Sequence, residues 1–323
     1  MVTIIGSLNM DLVVTADRAP QEGETVQGSS FSQFPGGKGA NQAVAAARSG
    51  AKTVLAGRIG DDSFGEALVR SLARDPIDTS AIERIAGVPT GTAAITVDSR
   101  GHNRIVVVPG ANGAWTASHV EAIRSLIAQS NVLLLQLEIP LEAVARAVTI
   151  AREENVFCMV NPAPALPLPA DFYPSIDLLT PNENELGLLS GITLGGPRGW
   201  RNAARVLLNR GLPAIVVTLG EEGSLAMDDK SDMHLPAYPV KMVDSTAAGD
   251  CFNGTLAAEI DVMLEARGKT CSRTAFTVME LAPAIDRATR AATISVTRRG
   301  AQPSIPWREE IDRFETWFEE HRL

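Results

Sequence analysis

Two segments of the chain carry residues whose types and spacing could do chemistry. In Asp244-Ser245-Thr246-Ala247-Ala248-Gly249-Asp250, carboxylates bracket a run of small or hydroxylated residues ahead of a helical pattern over Phe252–Glu265. Small residues let the chain turn into a helix whose first amides have no intrahelical acceptor and can bind an anion. Asp250, in the first turn beside that anion hole, could take the proton of a substrate hydroxyl while its oxygen attacks phosphorus. The plainer reading is an acidic helix cap, which leaves the bracketing carboxylates unexplained. The other segment, Gly36-Gly37-Lys38-Gly39-Ala40-Asn41, runs into an Ala-rich helix. Its glycines let backbone amides approach a ligand, and Asn41 offers both donor and acceptor to vicinal hydroxyls; a plain Gly-rich turn is the alternative.

Two weaker motifs stand beside them. Thr218-Leu219-Gly220-Glu221-Glu222-Gly223 is a Gly-bearing turn at a strand end, where a nucleotide could lie. Asn182-Glu183-Asn184-Glu185 could hold the water shell of a hydrated Mg²⁺ or simply begin an acidic helix. Neither GxxxxGK[ST] nor the dinucleotide GxGxxG occurs, which argues against a P-loop enzyme and a nicotinamide dehydrogenase. His102, His119, His234 and His321 have no paired spacing, so a zinc site has no support and they are read as surface residues. Cys158, Cys251 and Cys271 form neither a disulfide framework nor a CxxC pair; Cys251, directly after the candidate base, is read as packing, with redox sensing as the lesser alternative.

These motifs need elements to hold them. Val2–Leu8, Thr53–Gly57, Val132–Leu137, Val156–Val160, Ile176–Thr180 and Ala214–Leu219 read as buried strands, with helices at Gln42–Ser49, Phe64–Ala73 and Leu141–Glu153. This alternation predicts a mostly parallel sheet covered on both faces, with its site at the carboxyl ends of the strands. Leu12–Thr15, Thr25–Phe34, Thr92–Asp98 and Asn103–Val108 read instead as a small antiparallel sheet, with Ser99-Arg100-Gly101 as a hairpin connection. Such a sheet would make a lid, and a face with Val13, Val106 and Val108 would need covering by ligand or a second subunit. Arg267–Thr277 reads as a surface loop between helices, and Phe314–Glu320 as an amphipathic helix end.

Composition limits what this site can serve. The chain has 323 residues, 45% hydrophobic and 21% charged, which suits a globular protein with a full core. A formal charge of −9 disfavours a nucleic-acid partner, so any phosphate site must be local. No apolar run approaches membrane-spanning length, and the first residues read as a strand instead of a secretory signal, so a cytoplasmic address is expected. The tripeptide His321-Arg322-Leu323 is only a faint match to a peroxisomal signal.

The chain resembles the ribokinase-type (PfkB) carbohydrate kinase family over nearly its whole length. The matching segments are Gly6–Asp11, Gly23–Val26, Gly36–Ala47, Gly60–Asp62, Asn161–Pro164, Thr180–Glu183, Asp244–Gly254 and Val296–Trp307. The resemblance implies a three-layer α/β/α body with a small β-sheet lid, as one domain over residues 1–323. Lid strands would be inserted near 12–34 and 92–108, with a nucleotide-binding half near 180–323. It implies transfer of phosphate from ATP to O5 of D-ribose, giving D-ribose 5-phosphate and ADP. The alternatives are another sugar or nucleoside kinase, such as a deoxyribokinase or fructokinase, and a catalytically silent sugar-binding regulator.

Residue by residue, the resemblance implies that Asn9, Met10 and Asp11, the run Gly37, Lys38, Gly39, Ala40 and Asn41, and Glu138 surround the sugar. Asp250 would be the base, with the amides of Ala247, Ala248 and Gly249 stabilising developing charge. ATP would lie over Asn182, the turn Thr218, Leu219, Gly220, Glu221, Glu222 and Gly223, then Gly249, Asp250 and Thr289, with Mg²⁺ on its phosphates and Glu185 acting through water. An activating K⁺ would be held by Asp244, Thr246, Ser295, Arg298, Gly300 and Ser304, several through backbone carbonyls. A homodimer through the lid is expected. Thr289 departs from the family, whose bacterial members carry His there, and the 267–277 segment is longer than theirs.

Overall fold

The computed structural model describes residues 1–268 and 276–323. Strand β1 (Val2–Ile5) is buried throughout and hands the chain to β2 (Asn9–Ala16), from which β3 (Gly28–Gly36) returns into helix α1 (Lys38–Arg48). Next come β4 (Thr53–Gly60), α2 (Ser63–Leu72), the short strands β5 (Ile77–Asp78) and β6 (Ile82–Ile85), and a hairpin of β7 (Gly91–Val97) and β8 (Asn103–Val108). Helices α3 (Ala117–Ala122) and α4 (Arg124–Ala128) lead to β9 (Val132–Leu135), α5 (Leu141–Glu153), β10 (Phe157–Val160) and β11 (Leu178–Leu179). After α6 (Glu183–Ser190) and α7 (Gly196–Leu208) follow β12 (Ala214–Thr218), β13 (Ser224–Asp228) and β14 (Asp232–Leu235). The long helices α8 (Ala248–Arg267) and α9 (Val278–Val296) precede α10 (Arg308–Asp312) and α11 (Phe314–His321).

Among the described residues, ten strands form one sheet in the order β14-β13-β12-β11-β10-β9-β1-β4-β5, with β6 also paired to β4. From β5 to β12 the pairing is parallel, and β13 and β14 continue it antiparallel. Side chains alternate between the faces, so Val132 and Leu134 enter one core cluster with α1, α8 and α9, while Leu133 and Leu135 enter another with α5 and α7. Burial on both faces is why these strands read as continuous apolar runs. The result is the expected three-layer α/β/α body.

The second sheet, β3-β2-β7-β8, corrects two expectations. It is mixed, not antiparallel throughout, because β7 pairs with β2 in parallel, and only the β2–β3 and β7–β8 pairs run antiparallel. Hairpin logic correctly predicted the local pairs, including the turn through Gly101 at φ 83°, where Asp98 accepts from the amides of Arg100 and His102. It could not foresee a pairing between strands joined by a long excursion through the body. The register also separates Val13 from Val106 and Val108. Val13 aligns with Ile95 and Ile105, whereas Val106 and Val108 align through Ala94 and Thr92 with Leu12 and Met10, on the opposite face.

Element ends shift where a local geometry intervenes. Helix α1 begins at Lys38 instead of Gln42, because Gly37 turns at φ 91° and accepts the amide of Asn41 at 2.9 Å. Helix α8 begins at Ala248 instead of Phe252, and β2 reaches back to Asn9. Thr25 and Val26 lie outside β3, which starts at Gly28. His119 is half-buried, not a plain surface residue, with its Nδ1 2.8 Å from the guanidinium of buried Arg58. The 267–277 loop is bounded by the ends of α8 and α9, and its central residues lie outside the described ones. Among the described residues, no helix is long and apolar enough to cross a membrane.

Candidate active site

Polar residues gather where the parallel strands end: Asn9 beyond β1, Glu138 beyond β9, Asn161 beyond β10, Asn182 beyond β11 and Thr218 at the tip of β12. Asp250 sits at their centre, 6% exposed, in the first turn of α8. Asn41 Nδ2 donates to its Oδ2 at 2.9 Å and Gln42 Nε2 to its Oδ1 at 3.0 Å. Both donors come from α1, and they reach Asp250 because α1 and α8 touch at Gly254. A Cβ there would lie 2.3 Å from the Gln42 carbonyl oxygen and 2.5 Å from the Ala45 Cβ. Gln42 is held in turn: its Nε2 also donates to Asn161 Oδ1 at 3.0 Å, and its Oε1 accepts from Gln136 Nε2 at 2.6 Å. The Oδ1 of Asn41 is buried without a hydrogen-bond partner, an acceptor whose lone pairs are not yet satisfied.

On the lid side, Glu138 Oε2 accepts from the Ser7 hydroxyl, the Lys38 amide at 3.1 Å and Asn9 Nδ2 at 3.4 Å. Asn112 fixes Asn9, donating to its Oδ1 at 2.8 Å while accepting the Leu8 amide at 3.0 Å. Gly37 must be glycine, since a Cβ would meet the Asn9 nitrogen at 2.7 Å and the φ of 91° is left-handed. Burial, reinforced by the charges of Glu138 and Asp250, pushes the Asp11 carboxyl up to about 7. Burial works against the Lys38 ammonium, but Asp250, Glu138, Glu185 and Asp11 more than offset it and hold its pKa above the usual lysine value. Met10 has its side chain in the core, on the face opposite Asp11. Gly39 and Ala40 serve as backbone, Gly39 packed on Gly6 and Ser7 and Ala40 donating its amide to Ser7.

Beyond Asp250 a cavity of about 960 Å³ opens, lined by Lys38, Asn182, Glu185, Thr218, Gly249 and Thr289 among others. Ala247, the cap of α8, is left-handed at φ 60°, a conformation that costs a non-glycine residue about 1 kcal/mol. The strained turn leaves the amides of Ala247, Gly249 and Asp250 without an acceptor among the described residues, while that of Ala248 donates to the Ser245 carbonyl at 3.2 Å. Free amides at a helix start beside a cavity suit an anion. Thr218, Gly220, Glu221 and Gly223 line the cavity, whereas Leu219 is in the core and Glu222 turns its carbonyl to His234. The Thr289 hydroxyl donates to the Ile285 carbonyl at 2.9 Å.

Two sets of residues could attend cations. Glu185 forms a capping box with Asn182, which commits one carboxylate oxygen and leaves the other at the cavity. Burial raises its pKa, against the pull of the Asn182 amide and Lys38. Among the described residues no group of three or more His, Cys, Asp or Glu could hold a metal ion; a carboxylate such as Glu185 at the cavity suits a hydrated Mg²⁺ held through its waters. Asp244 ties two loops together, accepting from the Thr246 amide and hydroxyl at 2.9 and 2.6 Å and from the Gly300 amide at 2.9 Å. Burial opposes its charge, but these hydrogen bonds hold its pKa below the usual carboxylate range. Ser295 and Ser304 are buried nearby, and Arg298 turns its guanidinium to Glu310. The side-chain oxygens gathered here are those of a carboxylate and of hydroxyls, a donor chemistry that suits a hard monovalent cation.

Sequence reasoning did not single out Gln42, Asn112, Gln136, Asn161 or Asn253 as site residues. Asn253 had the clearest signal, one helical turn after Asp250, and its Nδ2 donates to the Gly249 carbonyl at 2.8 Å. Cys251 is packing: fully buried, with its thiol pushed by burial up to about 12.

The chain is similar to known proteins over nearly its whole length. The family model described as pfkB family carbohydrate kinase matches residues 1–308. A ribokinase of Staphylococcus aureus is 36% identical, over 97% of this chain and 98% of its own. Among solved structures, ribokinase of Thermotoga maritima superposes with a TM-score of 0.85 at 35% identity, over 98% of this chain and 99% of that one. Ribokinase of Arabidopsis thaliana, solved with ribose and ATP, has a TM-score of 0.86 at 28% identity over 97% of each chain.

Proposed function

The chain belongs to the pfkB family of carbohydrate kinases, and we propose that it transfers the γ-phosphate of ATP to O5 of D-ribose. The observation that carries this is the position of Asp250, with sugar-type donors and acceptors on one side and the free amides of α8 and the large cavity on the other. Asn9, Asp11, Asn41 and Glu138 bind the sugar hydroxyls, and Gly37 lets their backbone close on the ring. Asp250 accepts the proton of the primary hydroxyl, oriented by Asn41 and Gln42 so that its remaining lone pairs face substrate. The amides of Ala247 and Gly249 stabilise charge that develops on the transferred group, with Lys38 positioned between the two halves. Glu185 would attend a Mg²⁺ through its water shell, and that ion would supply charge neutralisation at the phosphates.

Three finer readings belong to the same proposal. Asp244 and Thr246, with the loop at Gly300, would hold a K⁺, whose charge would help to order the anion hole without touching substrate. A homodimer covers the lid, whose β8 is exposed along its length and where Phe31 and Val106 are 59% and 66% exposed. An ATP-dependent sugar kinase of this kind works in the cytoplasm. A deoxyribokinase or fructokinase would use the same machinery, and a silent regulator would have no use for the doubly held Asp250.

The test is ADP release from ATP and Mg²⁺ with D-ribose, 2-deoxyribose, fructose and adenosine, each in K⁺ and in Na⁺. Fastest turnover on ribose, rising with K⁺, is expected. Asp250→Asn should retain ribose binding and lose about 10²- to 10⁴-fold in kcat. Near-normal turnover in that variant would remove Asp250 from the chemistry.

A further inference from the structure

One wall of the nucleotide cavity is built by a segment that none of the motifs includes. Tyr238 packs edge-on against Phe314 and Phe318 of α11, with ring centroids 4.6 and 5.3 Å apart, and its hydroxyl donates to Asp286 at 2.7 Å. Arg290 lies over the rings of both Tyr238 and Phe314. Past the helix, Arg322 bridges Val240 in antiparallel fashion, and the Leu323 amide donates to the Pro239 carbonyl at 3.2 Å. These bonds bring Leu323 to the cavity, alongside Val240, Met242 and Thr289. Leu323 is 82% exposed and Met242 57%, so both are apolar groups that the core has not taken up.

The free amides of α8 mark the phosphate end of the cavity, which leaves this apolar end for the base. We propose that Leu323, carried by α11, is a nucleotide-binding residue that covers one face of the base together with Met242; this rests on reading the cavity as the ATP site. The hydroxyls of Thr289 and Tyr238 are spent on Ile285 and Asp286. This wall therefore offers the flat face of a nucleobase an apolar cover, and neither of these two hydroxyls is left to donate to its edge.

Leu323→Ala and Leu323→Met separate base contact from general damage, with inorganic triphosphate as a probe that lacks the base. Leu323→Ala should raise the KM for ATP, and the Kd for ADP by calorimetry, about three- to tenfold, as expected for removing methyl groups that the bound base would cover. The KM for ribose, kcat and the inhibition constant of inorganic triphosphate should not move, and Leu323→Met should restore the nucleotide constants. Unchanged ADP affinity in Leu323→Ala would overturn the inference, as would an equal loss for triphosphate. A wild-type protein that neither binds ADP nor turns over ATP would instead overturn the ATP reading of the cavity, and the inference with it.

Discussion

If Asp11 must be ionised to accept a sugar hydroxyl, ribose binding should be coupled to proton release. Its carboxyl lies at about 7 in the ligand-free protein, raised by burial and by the charges of Glu138 and Asp250. The apparent Kd for ribose then scales as one plus the ratio of protonated to ionised Asp11, about 1.1 at pH 8 and about 11 at pH 6. Affinity should fall about tenfold over those two pH units, with about 0.9 proton released per ribose at pH 6 and about 0.1 at pH 8. Titration calorimetry without nucleotide, in two buffers of different ionisation enthalpy, reads both quantities. Asp11→Asn should bind ribose more weakly, with little pH dependence and no proton release. An affinity that stays within about twofold between pH 8 and pH 6, or a slope that persists in Asp11→Asn, would refute the assignment. The shift has a stability counterpart. Because the folded Asp11 holds its proton more tightly than the unfolded chain does, its contribution is full below about pH 4 and is lost as pH rises through about 7. Asp11→Asn should therefore raise the Tm of the ligand-free protein more at pH 8 than at pH 4.

Other substitutions test the scaffold. Gly254→Ala should destabilise by about 1–3 kcal/mol in chemical denaturation, since the added methyl meets the Gln42 carbonyl oxygen at 2.3 Å and neither backbone can retreat freely; an unchanged midpoint would show that α1 and α8 have slack. Gln42→Leu leaves Asn161, Gln136 and Asp250 each short of a partner. It should cost about 1–3 kcal/mol of stability and about tenfold in kcat, and normal kcat would show that Asn41 alone orients the base. Asp244→Ala frees Thr246 and the Gly300 amide. It should abolish the difference in turnover between K⁺ and Na⁺, and an intact difference would place the cation elsewhere.

What could be read from the chain alone was local. Gly37 and the small residues before Asp250 announce their turns because φ beyond the reach of most side chains, or a backbone pressed against another backbone, admits few residue types. Uninterrupted apolar strands announced a sheet buried on both faces, and the hairpin at Gly101 followed from neighbours in sequence. Tertiary structure decided whatever depends on which segments meet. The parallel β2–β7 pair and the phase that puts Val13 and Val106 on different faces of the sheet are set by register, which carries no sequence signature across a long connection. Likewise, Gln42, Gln136 and Asn161 are ordinary polar residues until the α1–α8 contact and adjacent strand ends bring them within 3.0 Å of one another or of Asp250. Amides of that kind make sense only as partners of buried groups, and burial is a property of the assembled layers, not of the residues one by one.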